Sequence, residues 1–207
     1  MAAATASAKG STRRRMLVTA AEVLRERGAA GVTIDEVLAR SGAPRGSVYY
    51  HFPDGRAQLI TEALQFAGDS ITSLIDAAVH RGGAALVSEF VAFWERTLAD
   101  SDFAAGCPVV AAAIGSSPDD DPALRTTAGE IFGHWRAALG RAFVADGFDE
   151  SEARSLAVTC IASLEGAVVL CRAGGSVAPL HDVADQIEFL VKSREFIKRY
   201  GMPHKPS

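Results

Sequence analysis

The sequence predicts an all-α protein of about nine helices, and three observations carry that reading. Apolar residues recur at helical spacing along the chain, no stretch alternates apolar and polar residues as a half-buried strand would, and glycine, proline and capping residues punctuate the ends of the helical periods.

Taken in order, residues 1 to 10 (MAAATASAKG) read as a flexible arm. An amphipathic helix follows from about Thr12 to Arg27, with Leu17, Ala20, Ala21 and Leu24 on one face and Gly28 at its end. Thr33 and Glu36 have the spacing of a capping box, so the next helix starts at Ile34. It cannot pass Ser41-Gly42-Ala43, because Gly42 tolerates the left-handed cap and Pro44 disfavours helical geometry before it. Pro44 suits the first position of the following short helix, where its missing amide costs nothing. Ile34, Val37, Leu38, Val48 and Phe52 are spaced to face inward.

The rest continues in helical periods. Leu59, Ala63, Phe66, Ala67, Ile71, Leu74, Ile75 and Ala78 describe one long connecting helix over residues 56 to 80, stopped by Gly82-Gly83. Further helices are expected over about 84–100 and 107–114, before the turn-rich SSPDDDP. Asp121-Pro122 opens a helix carrying Leu124, Ile131, Trp135, Leu139 and Phe143 to Gly147, and Asp149 with Glu152 caps another reaching about Arg172. Gly174-Gly175 and Pro179 precede a last helix to about Tyr200, and residues 201 to 207 read as a loose tail.

Composition narrows the class. At 207 residues, 48% hydrophobic and 22% charged, the body reads as a globular chain rather than a disordered one. The net charge of −4 is unevenly placed: residues 9 to 58 hold nine basic and five acidic side chains, net +4, which leaves −8 elsewhere. A basic module on an acidic body suits a nucleic-acid partner, because phosphate contacts supply most non-specific affinity. Cys107, Cys160 and Cys171 show no paired or metal-type spacing, and the five histidines are scattered, so neither a disulfide nor a metal or other cofactor is expected. With no signal peptide and no apolar run judged long enough to span a bilayer, the expected setting is cytoplasmic, with no membrane partner.

Residues 33 to 52 form a capped helix, a three-residue turn and a second short helix, the geometry that fits a DNA major groove. Arg45 and Ser47, at the start of the second helix, are the candidates for base edges, and Tyr49 shares their exposed side. Tyr50, His51 and Arg56 are assigned to phosphates, with Thr33 adding a contact through the amides at its helix start. Gly46 allows either close approach of the backbone to DNA or space for the preceding helix. Arg13, Arg14 and Arg15 either reach the DNA or are simply solvated.

The run RSGAPRGSVYYHF, preceded by RRRMLVTAAEVLRERG and GVTIDEV, resembles the DNA-binding domain of the TetR family of transcriptional repressors over about Ser11 to Phe66. Leu38 stands where the family usually has alanine and Ala43 where it often has valine, an exchange of volume between neighbours. The long form FPDGR and the segment GCPVVAAAIG at 106 to 115 resemble the branch that includes lincomycin-resistance repressors.

That resemblance implies a helix-turn-helix domain over residues 11–55, a connecting helix over 56–80 and a ligand-binding and dimerisation domain over 81–200. It also implies a cavity for a small apolar or aromatic ligand, with Phe93, Trp94, Cys107, Phe132 and Trp135 as lining candidates where plain core is the alternative. Glu165, inside the apolar run IASLEGAVVL, must meet a structural partner or a ligand cation, since an unpaired buried carboxylate is costly. The family's use of its last two helices implies a homodimer, here through Ala162, Gly166 and Ala167 on one and Ala184, Ile187, Leu190 and Val191 on the other. Two recognition helices about 34–36 Å apart would then meet a palindromic operator in double-stranded DNA. The implied function is a ligand-responsive regulator, most simply a repressor released by an inducer, although an activator has the same sequence features. A small helical enzyme finds no GxSxG, P-loop, dinucleotide or metal motif here, and a helical interaction module has only the acidic body in its favour.

Overall fold

The computed structural model of the protein describes residues 2–115 and 122–201. Among them the helices are α1 (Ala2–Gly31), α2 (Ile34–Ser41), α3 (Val48–His51), α4 (Gly55–Ala78), α5 (Gly83–Asp100), α6 (Pro108–Ile114), α7 (Pro122–Ala145), α8 (Glu150–Gly174) and α9 (Ala178–Tyr200). Short 3-10 turns lie at Arg45–Ser47 and Val79–Arg81, and no strand occurs among the described residues. The expected turn at SSPDDDP before Pro122, including Asp121 of the expected helix start, falls outside them, as does the tail from 202 on.

One expectation about helix ends is corrected. Residues 2 to 10 extend α1 instead of forming an arm, which their five alanines explain, since alanine is the best helix former. Gly28, the expected end of the first helix, does leave helical geometry (φ 71°, ψ −177°), and a further short stretch carries α1 on to Gly31. The caps behave as their chemistry requires. Asp149 accepts the amides of Ser151 and Glu152 at 2.9 and 2.8 Å while the Glu152 carboxylate takes the Asp149 amide at 3.3 Å, a complete capping box. These bonds, led by the Glu152 amide, hold the Asp149 carboxyl below its ordinary range.

The chain divides into two compact units, and the division falls within α4 and within α7. The first holds the residues up to Ile71 together with Ala105–Phe132. A linear reading assigns α6 to the C-terminal domain, yet α6 packs on α1, and the Gly106 amide donates to the Arg25 carbonyl at 2.8 Å. Met16, Val23, Leu24, Val37, Val48, Phe52, Leu59 and Leu64 are all buried in this unit, burial that supplies its main favourable term.

The second unit holds Thr72–Ala104 and the residues from Gly133 on, with α9 packed against α5 and α8. Asp146 accepts the Gly83 amide at 2.7 Å, and a Cβ on Gly83 would stand 2.2 Å from the Phe143 ring, so only glycine starts α5 there. Arg194 of α9 donates to Glu152 of α8 at 2.7 Å and lies over the Phe148 ring at 5.8 Å. All three cysteines are buried and none is in a disulfide, and burial pushes the Cys160 thiol up to about 12.

The expectation that no helix is long and apolar enough to cross a membrane is also corrected. By length and composition α8 is. Its apolar residues serve two faces: Ala153, Ala157, Cys160, Leu164, Ala167 and Val168 pack within the chain, while Val158, Val169 and Leu170 are exposed.

Candidate functional site

The α2–α3 region is built from its turn outward. Thr33 caps α2 by accepting the Glu36 amide at 3.1 Å. The Glu36 carboxylate, expected to reach back to the cap, instead accepts from Arg40 at 2.7 Å and from Arg27 at 3.2 Å, so only half of the capping box forms. Two cationic donors are stronger partners than one backbone amide. Gly42 ends α2 in the left-handed conformation (φ 64°, ψ 22°), with its amide bonded to the Leu38 carbonyl.

Pro44 is extended (φ −63°, ψ 139°) and precedes the second helix rather than opening it. The chain then enters through the 3-10 turn, in which both the amide and the hydroxyl of Ser47 donate to the Pro44 carbonyl, at 2.9 and 2.6 Å. One α-turn follows. Val48 and Phe52 are fully buried beneath it, while Tyr49 and Tyr50 are each 64% exposed. His51 is half-buried with its ring edge-on to Tyr50 at 5.0 Å.

Arg45, Gly46, Tyr49 and Tyr50 therefore share an exposed rim on a fixed base, with Ser47 partly exposed among them. The Arg45 side chain, 85% exposed, pairs with Asp35 at 3.0 Å, a solvated bridge of the kind worth little and readily exchanged. Open space surrounds the position a Cβ would take on Gly46, so this glycine makes no room for a helix.

Arg56 does not point to this rim. It donates to the carbonyls of Val32 and Ala29 at 2.7 and 2.6 Å, holding α4 to the junction of α1 and α2. Other cations are engaged as well. Arg13 pairs with Glu62 and lies over the Phe52 ring at 5.0 Å; Arg40 also pairs with Glu26; Arg14 lies over Phe66 at 5.9 Å. Burial lowers the pKa of Arg25. Much of the local positive charge thus stitches the first unit together.

Within the second unit lies a narrow apolar cavity of about 20 Å³, lined by Ile75, Leu86, Val87, Phe90, Trp135, Leu139, Ile161, Leu164 and Glu165. Of the expected lining residues it brings together Trp135 and Glu165. Cys107 and Phe132 belong to the other unit, while Phe93 and Trp94 on α5 are not among the lining residues, although Trp94 lies one turn beyond Phe90 on the same face. Phe93 meets Trp94 edge-on at 5.3 Å, and Trp94 is fully buried. Phe90, one helical turn before Trp94, was the aromatic to choose: it shares that residue's i−4 face and stands nearer the end of α5 that carries Leu86 and Val87. The Trp135 indole donates to Thr72 at 3.0 Å, which fixes the ring.

The expected association face is also redrawn. Ala167, Ile187 and Val191 are 1%, 3% and 1% exposed, hence core of their own chain, and Ala184 lines a groove between α5 and α9. Ala162, Gly166 and Leu190 are exposed, and beside them so are Val158, Val169 and Leu170 on α8 and Phe189, Phe196 and Tyr200 on α9.

A capped helix-turn-helix with an exposed polar and aromatic rim, followed by a helical body, defines a transcriptional regulator of the helix-turn-helix class. Residues 16–63 match the profile of the bacterial regulatory proteins of the TetR family, and residues 83–186 that of the LmrA/YxaF-like transcriptional regulator C-terminal domain. The chain is 38% identical over 184 residues, 86% of its length and 93% of the other's, to an uncharacterised HTH-type transcriptional regulator of Mycobacterium tuberculosis. It is 27% identical to the HTH-type transcriptional regulator LmrA of Bacillus subtilis, over 88% and 98% of the two chains. The crystal structure of a TetR transcriptional regulator from Chloroflexus aurantiacus superposes with a TM-score of 0.74 at 26% identity, covering 90% and 96%. The chain belongs to the TetR family of transcriptional regulators, with an LmrA/YxaF-like C-terminal domain.

Proposed function

We infer that the protein is a ligand-responsive repressor, which binds a palindromic operator as a homodimer and is released by a small apolar or aromatic molecule, and that it acts where DNA is, in the cytoplasm. The observation that carries the reading is the α3 rim: two tyrosines 64% exposed and Arg45 more exposed still, on a turn anchored by the fully buried Val48 and Phe52. Large aromatic side chains held rigidly in solvent beside a cation suit a groove lined by phosphates and base edges.

Arg45 and Ser47 are proposed for base edges, with Tyr49 beside them. Tyr50 and His51 take phosphates, as do the amides after Thr33. Gly46 lets the backbone approach the duplex. Arg56 leaves this set, because its guanidinium is bonded to backbone carbonyls.

The dimer is proposed through the exposed faces of α8 and α9. Exposed valine, leucine and phenylalanine on neighbouring helices favour burial against a second copy. Release is proposed to work from the cavity. Its 20 Å³ holds about one water, against the roughly 300–1,000 Å³ of drug-sized pockets, so a ligand must displace the lining side chains. Such a ligand shifts the protein only by its differential affinity for the closed and opened forms.

A salt titration of binding to palindromic and scrambled duplexes tests the function. Affinity is expected to fall steeply with salt and to favour the palindrome; shallow salt dependence with no palindrome preference would remove the repressor reading.

A further inference from the structure

We propose that the ligand of the second unit is an aromatic cation, which enters between α5 and α9 and seats its charge against Glu165 and its ring against Trp135. The proposal rests on the ligand-responsive reading above and adds a chemical class and a route. Three observations support it.

The first is chemical contrast. Glu165 is 7% exposed, and its carboxylate is the one charged side chain lining a cavity whose other walls are aliphatic or aromatic. An apolar site with a single carboxyl group discriminates by sign: a cation bound there favours the ionised carboxylate and gains attraction that water does not screen, while an anion is rejected. The second is the aromatic wall. Trp135 is 1% exposed with its N–H already bonded to Thr72, so the ring offers the ligand its face or edge rather than a donor, and Phe90 stands in the same wall. Aromatic faces attract cations, and they do so more strongly out of water.

The third is the route. A groove of about 220 Å³ runs between α5 and α9, and Val87 lines both this groove and the cavity. Val87 is thus a wall that the groove and the cavity share. Glu95, Asp185 and Glu188 line the groove, where His181 contacts Glu95 and Lys192, one turn along α9, pairs with Glu188. A channel mouth with excess negative charge concentrates cations and speeds their entry. The same sign thus appears at the entrance and at the end of the path.

The test uses an isosteric pair, benzyltrimethylammonium and neopentylbenzene, which differ only in nitrogen for carbon and hence in charge. Binding to the full-length protein is followed by thermal shift and by tryptophan fluorescence in a Trp94→Phe background, where Trp135 alone reports. The cation is expected to bind roughly tenfold or more tightly than its neutral twin, and Glu165→Gln, which keeps the shape, to erase that preference. Asp185→Asn with Glu188→Gln, both at exposed or half-exposed sites and safe for folding, is expected to slow cation entry about threefold at low salt and to leave neopentylbenzene unaffected. Equal binding of the two probes, or a cation preference that survives Glu165→Gln, overturns the proposed class while leaving a ligand-responsive cavity in place. Failure of both probes to perturb Trp135 overturns the cavity itself as the ligand site, and this proposal with it.

Discussion

Two of the surfaces on which large side chains are exposed, the α3 rim and the outer faces of α8 and α9, differ in kind. On α3, Tyr49 and Tyr50 carry hydroxyls and stand beside Arg45; on α8 and α9, Val158, Val169, Leu170, Phe189 and Phe196 carry no polar atom. Amphipathic aromatics beside a cation fit a polar, charged and wet partner surface, as nucleic acid is. Purely apolar side chains on long neighbouring helices fit another protein surface and exclude water. Under the proposed function, the polar atoms are what separate the DNA-facing rim from the protein-facing helices.

The comparison breaks most visibly at α8. Leu170→Glu places a charge in the apolar face, and sedimentation is expected to show monomers, with operator affinity falling by about a hundredfold or more as the paired half-sites are lost. A dimer that survives Leu170→Glu would assign the α8 face to another partner. Ile187→Ala is the counterpart on the inward side of α9. Because Ile187 is core of its own chain, urea denaturation should show a loss of about 2–5 kcal/mol. Only a charge or cavity on the outward face should change association directly.

Smaller effects sharpen the α3 side. Arg45→Ala should cost about 1–3 kcal/mol on the cognate operator and relax preference at one position per half-site, measured by binding to a panel of single-base variants. A uniform loss on every sequence would move Arg45 to a phosphate. Thr33→Ala removes the α2 cap, and thermal unfolding should show about 0.5–2 kcal/mol lost, with base preference unchanged. A change in preference from Thr33→Ala would mean that the cap also orients the recognition turn.

Much of this was legible in the chain. The Asp149 capping box, the Gly42 cap, the long helix α4 and the inward positions Val37, Val48 and Phe52 follow from local rules, because caps and periodicity act over one or two turns. The exposed rim on α3 was legible too, as whatever remained after the inward residues were chosen. What failed was every question of which distant group competes for a side chain. Glu36 had a plausible local partner in the Thr33 amide, yet Arg27 and Arg40 engage it. Arg56 had the right position for a phosphate and found two carbonyls instead.

The association face shows the same limit from another side. Ala167, Ile187 and Val191 are as apolar as Val169, Leu190 and Phe189, and a helix that is apolar most of the way round offers no clue to which stripe its own chain covers. By itself the sequence determined the order of the helices, the Gly42 and Asp149 caps, the turn before α3 and the family. Tertiary structure alone decided which apolar stripe stays outside, which arginines are held by carboxylates and carbonyls, and that Trp135 and Glu165 meet in one cavity while Cys107 and Phe132 do not. The physical reason is range: hydrogen bonds at caps and turns are settled within a few residues, whereas burial and ion pairing are settled by neighbours far away in the chain.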